Sequence, residues 1–257
     1  MKHVVHLTTV HQPFDVRIFY RECKTLAQAG YCVSLIAPHT AREVVDGVEI
    51  IPIPRFTHRL PRMSQGVWAI YWLARRMQAD LYHFHDPELL PVGICLKQTT
   101  SSCVVYDVHE NHPQKILAKR WVPLLVRHFA SWSVSALERV AASVVDGIVT
   151  ATGHIAMRFP REKTQVVRNY PALSTLGLAM ERQRVYEGNY TLIYTGGWTD
   201  HRGIYQIIQA LAYVKTPQAR LVLLGRTIDH HIVEAARKLP GFRRVDYRGY
   251  VPYEVMY

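Results

Sequence analysis

Short β-branched apolar runs alternate with stretches of helical period from the first residues onward, and this rhythm restricts the possible folds more than any other feature. Runs at 3–10, 31–37, 48–53, 80–84, 103–108 and 145–151, with a shorter one near 164–168, read as strands. Between the first two, Asp15 can cap a helix whose Phe19, Cys23, Leu26 and Ala27 share one face, and Gly30 ends it in a left-handed conformation. Helices also fit 64–78, 88–98 and a long segment within 115–143. Strand and helix repeated in this way build a parallel sheet covered on both faces, so the expected class is α/β and doubly wound. A second series follows: strand 190–195, helix 203–214, strand 219–225, helix 230–238 and strand 244–249. The expected organisation is a Rossmann-like domain over 1–170, a linker over 171–189 and a partial Rossmann-like domain over 190–257.

Composition narrows the class further. A mean hydropathy of -0.05 is a globular value, and no run of about 18 uncharged apolar residues exists to span a bilayer. The first residues, Met1 to His6, lack the apolar core of a secretory signal and read as the first strand of a cytoplasmic protein. Thirty-one basic residues against 20 acidic ones leave a net charge of +11, an excess that attracts anionic partners. Cys23, Cys32, Cys95 and Cys103 contain no CxxC pair and are expected to be buried free thiols.

Ligands of an open parallel sheet bind beyond the carboxyl ends of its strands. After the first strand, the loop from Thr8 to Asp15 offers backbone N–H groups at a helix start, where an anion can be received; the plainer role for Asp15 is the helix cap. After the fourth comes His83-Phe84-His85-Asp86-Pro87-Glu88. Two histidines at i and i+2 share a strand face, as metal ligands sometimes do, but no downstream residues complete such a site. His83 is then a packed strand residue, Asp86 a cap for the helix that follows, and His85 the candidate contact residue. After the fifth strand, His109 and Glu110 stand where they can hydrogen-bond a sugar hydroxyl or phosphate. His11, His85 and His109 together suggest a polar cleft without a nucleophile, since no G-x-S-x-G elbow or Cys–His motif accompanies them. In the second series, strand 190–195 runs into Gly196-Gly197 and then Arg202 at a helix start, and Arg226 follows the next strand. Glycine turns with two basic residues are suited to a nucleotide diphosphate.

Several of these stretches, taken in order, resemble glycosyltransferase family 4: His11 to Phe19, His83 to Pro91, Tyr106 to Glu110, Asn169-Tyr170-Pro171, and Tyr194-Thr195-Gly196 through Ile204. The resemblance covers essentially the whole chain. It implies the GT-B fold, two Rossmann-like domains facing across a cleft, with acceptor bound by the first and nucleotide sugar by the second. It implies retaining transfer by front-face attack, with the departing phosphate accepting the acceptor's proton, and neither metal nor cofactor. By position, His109 resembles the active-site histidine near the transferred sugar. Pro13, Phe14 and Asp15 resemble the segment closing over the diphosphate, and Arg202 resembles the basic residue that neutralises it. Gly196, Gly197 and Arg226 belong to the same donor site. His11, His85 and Glu110 fall on the acceptor side. Where the family carries an arginine after the turn glycine, this chain has Gly197.

The family's pair of glutamates eight positions apart has no counterpart here, as no two glutamates have that separation. The expectation is therefore a C-terminally truncated member with impaired transfer. The alternative is a non-catalytic sugar- or nucleotide-binding module. Within 115–143, Lys115, Lys119, Arg120, Arg127 and Arg139 are interleaved with Trp121, Phe129 and Trp132. That segment either lies on the anionic inner membrane face, suiting a polysaccharide or lipid-linked acceptor, or packs on the core with its charges solvated. Nucleic acid is not an expected partner, because the basic residues are scattered through loops.

Overall fold

The computed structural model describes residues 1–119, 121–170, 190–199, 202–227 and 230–251. The chain forms two compact units, Met1–Pro171 and Ala172–Tyr257. The proposed linker, 171–189, lies outside the described residues.

The first unit is built on an eight-stranded sheet of β1 (His3–Leu7), β2 (Cys32–Pro38), β3 (Glu43–Val45), β4 (Val48–Ile53), β5 (Leu81–Phe84), β6 (Cys103–Val108), β7 (Gly147–Thr150) and β8 (Thr164–Val166). Its order is β3-β4-β2-β1-β5-β6-β7-β8, and only the β3–β4 pair is antiparallel. The sequence reading lacks β3, a three-residue edge strand turned back through Asp46 and Gly47, whose φ values of 50° and 78° are those of a tight hairpin.

Parallel strands covered on both sides must be apolar on both faces or carry satisfied polar groups. Val5, Leu7, Tyr82, Phe84, Tyr106 and Val108 fill one face, Phe84 stacked on Tyr106 at 4.7 Å. Burying each such side chain contributes roughly 1.5–3 kcal/mol. The alternate positions of the same strands, His6, His83, His85 and Asp107, are also buried, and they face the opposite way.

Over that polar stretch lies α1, which begins as wide π-type turns at Val16–Cys23 and continues as α-helix over Lys24–Gln28. Asp15 caps it, its Oδ1 accepting from the N–H groups of Arg17 (2.8 Å) and Ile18 (3.0 Å). Gly30, at φ 89°, ends it. Further helices of this unit include α2 (Val67–Arg76), which follows short helical turns over 59–66, α3 (Leu90–Thr99), α4 (His112–Leu117), α5 (Leu124–Val144) and α6 (Gly153–Ala156). The long helix expected within 115–143 is α5, whose start Pro123 fixes because it cannot donate within a helix; the short α4 precedes it. α5 buries Ser131, Glu138, Ala141 and Ala142 and leaves Leu125, Phe129 and Trp132 exposed. Of the cysteines, only Cys23 is fully buried; Cys32 and Cys103 are exposed because each is the first residue of an interior strand, at the strand's amino-terminal end.

The second unit pairs β9 (Thr191–Thr195), β10 (Arg220–Leu224) and β11 (Val245–Gly249) in the order β11-β10-β9, all parallel. With α7 (Ile204–Leu211) and α8 (His230–Arg237), this is the expected strand–helix series. Trp198, Ile204, Ile208, Leu211, Leu221 and Leu223 form its core.

Candidate functional site

In the first unit, the loops after β1, β5 and β6 meet at the carboxyl edge of the sheet around a cavity of about 800 Å³. His11, Asp86, Glu88, His109 and Glu110 line it, so the three sequence-selected loop segments converge on one space. The His11 and His109 rings meet edge to face at 5.2 Å. His109 Nδ1 stands 3.6 Å from Asp107 Oδ2, an electrostatic approach longer than a hydrogen bond, which leaves the other edge of the ring for a ligand. One wall is apolar, with Met63, Val67, Trp68, Ile116 and Leu137, while Arg59, Arg62, Lys115 and Lys119 supply positive charge.

Asp86 does not cap the helix that follows it. Its Oδ2 accepts instead from Thr8 Oγ1 (2.8 Å) and the Thr9 amide (2.7 Å), and its Oδ1 lies 3.4 Å from His11 Nε2, so it ties the β1 loop to the β5 loop. Glu88 accepts a two-pronged donation from Arg62 and a hydroxyl from Thr9. Glu110 pairs with Lys115.

His85 also lines the cavity, but from its floor rather than as an exposed strand-end contact. Its ring is fully buried, with Nδ1 donating to Asp107 (3.0 Å) and Nε2 2.9 Å from His6 Nδ1, so no ring nitrogen is left for the cavity. Asp107 is also gripped by Arg17 through Nε (2.8 Å) and Nη2 (2.7 Å). Burial alone would raise the Asp107 pKa, but Arg17 and the neighbouring histidines hold it well below the usual carboxylate range. Burial has the opposite sign for an imidazole: it keeps His6 neutral and takes His83 down to about 3. His11 differs, since burial is outweighed by its contacts with Asp15 and Asp86, and its pKa is raised. Against its own burial, Asp15 is lowered to about 2 by His11 and the helix N–H groups.

The Pro13–Asp15 segment therefore has its helix N–H groups already occupied by Asp15. Pro13 is buried and Phe14 is exposed, its ring edge-on to Phe19 at 5.1 Å.

In the second unit, the turns after β9 and β10 bring Gly196, Gly197, Arg202 and Arg226 to one edge. Gly196 has φ 150°, and a Cβ there would stand 2.8 Å from Arg202 Nη1, so the guanidinium lies against bare backbone. Gly225, at φ 141°, lets its turn approach so closely that a Cβ would meet Gly196 O at 1.9 Å. Trp198 N–H donates to Arg226 O at 3.0 Å, and the Arg226 guanidinium lies 4.1 Å from the Tyr250 ring centre. Asp200 and His201 lie outside the described residues.

Residues 16–170, more than half of the chain, match the family model described as a glycosyl transferase 4-like domain. The chain belongs to that family. Sucrose-phosphate synthase from Thermosynechococcus elongatus is similar to this glycosyl transferase 4-like protein with a TM-score of 0.73 and 15% identity, over 100% of this chain and 72% of that one. HepE from Anabaena, solved with UDP and glucose, gives 0.65 and 14%, over 98% and 70%. The catalytic domain of starch synthase IV from Arabidopsis thaliana, bound to ADP and acarbose, gives 0.66 and 12%, over 99% and 75%. At such identities the likeness is one of fold, and the fold is GT-B. No curated protein sequence matches the chain.

Sequence reasoning passed over Arg17, Asp107, His6 and Glu22 as site residues. Asp107 carried a signal: a charged side chain between two core residues of its strand, Tyr106 and Val108.

Proposed function

We propose that this glycosyl transferase 4-like protein moves a hexose from a nucleotide-sugar donor to a polysaccharide or lipid-linked acceptor with retention of anomeric configuration. The observation that carries this reading is His109 in the wall of an 800 Å³ cavity, backed by an Asp107 carboxylate that Arg17 keeps ionised. An anion behind the ring favours Nδ1–H and leaves Nε2 to hold a sugar hydroxyl in one orientation. The donor's diphosphate is assigned to Gly196, Gly197, Arg202 and Arg226, where exposed cations and close-packed backbone suit a charge that grows as the glycosidic bond breaks. In the step itself, the acceptor oxygen bonds to the anomeric carbon as the carbon–phosphate oxygen bond breaks, and the leaving phosphate takes the acceptor's proton.

An amphiphilic acceptor is supported by the cavity's apolar wall beside Arg59, Arg62, Lys115 and Lys119. The exposed Trp121, Leu125, Phe129 and Trp132 support contact with an anionic membrane face, and a cytoplasmic location follows from that reading. Among the described residues, no helix is long and apolar enough to cross a membrane.

The test is a panel of UDP-, GDP-, ADP- and dTDP-sugars offered with lipid-linked acceptors, with the product's anomeric configuration read by NMR. Arg202→Ala is expected to weaken nucleoside diphosphate binding about tenfold, or roughly 1.4 kcal/mol. Inverted product would refute retention, and binding without turnover across the panel would make the protein a binding module.

A further inference from the structure

β1 and β5 are neighbours in register, His6 beside His83, and His85 lies two residues further along the same face. The three rings form a triangle, with centroids 4.8 Å (His6–His83), 4.8 Å (His83–His85) and 5.2 Å (His6–His85) apart. α1 drops one carboxylate onto that triangle. Glu22 Oε2 is 3.9 Å from His6 Nδ1, 3.9 Å from His83 Nδ1 and 3.9 Å from His85 Nε2. All four ligand atoms lie within 4.8 Å of one another, and among the described residues no other His, Cys, Asp or Glu set converges so closely.

The hydrogen bonds available do not account for this arrangement. Asp107 accepts from His85 Nδ1, so His85 Nε2 bears a lone pair and His6 Nδ1 donates to it. Beyond that single bond, Glu22 Oε1 is ion-paired with Arg17 Nε at 3.1 Å, while Glu22 Oε2, the oxygen turned to the three histidines, and His83 Nε2 are buried without a hydrogen-bonding partner. Buried lone pairs facing one another are costly, and a set retained for packing alone would be apolar.

We infer that His6, Glu22, His83 and His85 form a buried site for one divalent transition-metal ion, with zinc the best match. Three imidazoles and a carboxylate are a ligand set zinc accepts in a closed tetrahedron. Bonds of about 2.0–2.1 Å give ligand–ligand edges of about 3.4 Å; the 3.9 Å and 2.9 Å separations lie about 0.5 Å from that, and since the whole set spans no more than 4.8 Å, side-chain shifts of at most about 1.4 Å close it around an ion. A ligating histidine characteristically donates its other nitrogen to a carboxylate, and His85 does so to Asp107. All four positions are filled by protein, so the ion touches no substrate. Its role is positional: it fixes His85, hence Asp107, beneath His109. This site stands independently of the transfer reaction proposed above.

The experiment uses the full chain, purified without chelators and then stripped. Metal analysis is expected to give one equivalent of zinc per chain as purified. Cobalt(II) added to the stripped protein is expected to produce the strong visible bands of four-coordinate cobalt, which zinc then abolishes. His83→Gln and Glu22→Gln should each remove those bands, whereas His154→Gln, at an exposed position, should keep them. Substoichiometric zinc together with only the weak bands of six-coordinate cobalt overturns the proposal. Bands that persist in both site variants overturn it as well, and place the metal elsewhere. The spectrum of the unsubstituted protein decides the matter even where a variant fails to fold.

Discussion

Replacing Arg17 by Met keeps the apolar stem of a buried side chain and removes the cation that grips Asp107. Asp107 is then left fully buried with His85 as its remaining close hydrogen-bond donor. Breaking one side of a buried pair costs about 3–5 kcal/mol, mostly the burden of the uncompensated charge. That is a large share of the roughly 5–15 kcal/mol stabilising a typical domain. For a unit of this size it corresponds to a melting shift of roughly 6–20 °C. The variant also has a distinct pH signature. In the native protein the depressed Asp107 pKa contributes stability that is present above about pH 4 and is lost as pH falls through the depressed value. In Arg17→Met, burial raises that pKa above its unfolded value, so the carboxylate is most harmful at neutral pH and acid relieves it. Urea denaturation of both proteins at a series of pH values measures the gap, which should narrow on acidification. Adding Asp107→Asn to Arg17→Met should restore part of the lost stability. A gap below about 1 kcal/mol at pH 7, or one independent of pH, refutes the reasoning.

Asp15→Ala should cost about 1–2 kcal/mol in urea denaturation, the usual worth of an N-cap, and NMR titration should find the His11 pKa lowered, because Asp15 and Asp86 are what raise it. The Asp15 contribution is present above about pH 4 and disappears as pH falls through about 2. Gly225→Ala should disrupt the second unit, since a Cβ 1.9 Å from Gly196 O at φ 141° has nowhere to go. Hydrogen exchange should then accelerate in β9 and β10 while β1 and β5 stay protected.

Much of the architecture was legible because the parallel strands are β-branched runs punctuated by caps: Asp15 and Gly30 bound α1 where the residues indicate. β3 was not, since three residues held at an edge by an Asp-Gly turn carry almost no periodic signal. The convergence of His11, His109 and Glu110 followed from strand ends sharing one sheet edge. Glu22 was hidden for a geometric reason. At 3.6 residues per turn it would not share a face with Arg17, but the π-type turns of Val16–Cys23, where Tyr20 N–H donates to Asp15 O, bring residues five apart into line. The two side chains end 3.1 Å apart, Arg17 Nε to Glu22 Oε1. His6 was missed because its hydrogen-bond partner, His85, is 79 residues away, across a β1–β5 adjacency that only the strand order reveals. Asp86 looked like a helix cap from its neighbours Pro87 and Glu88, yet its bonds run to the β1 loop.

The central claim is that His109 handles the transferred sugar. Steady-state transfer from the preferred nucleotide sugar, compared between the unsubstituted protein and His109→Ala, tests it most directly. The account predicts a fall in turnover of at least about tenfold with little change in nucleoside diphosphate affinity or melting temperature. Equal turnover in the two proteins would contradict it.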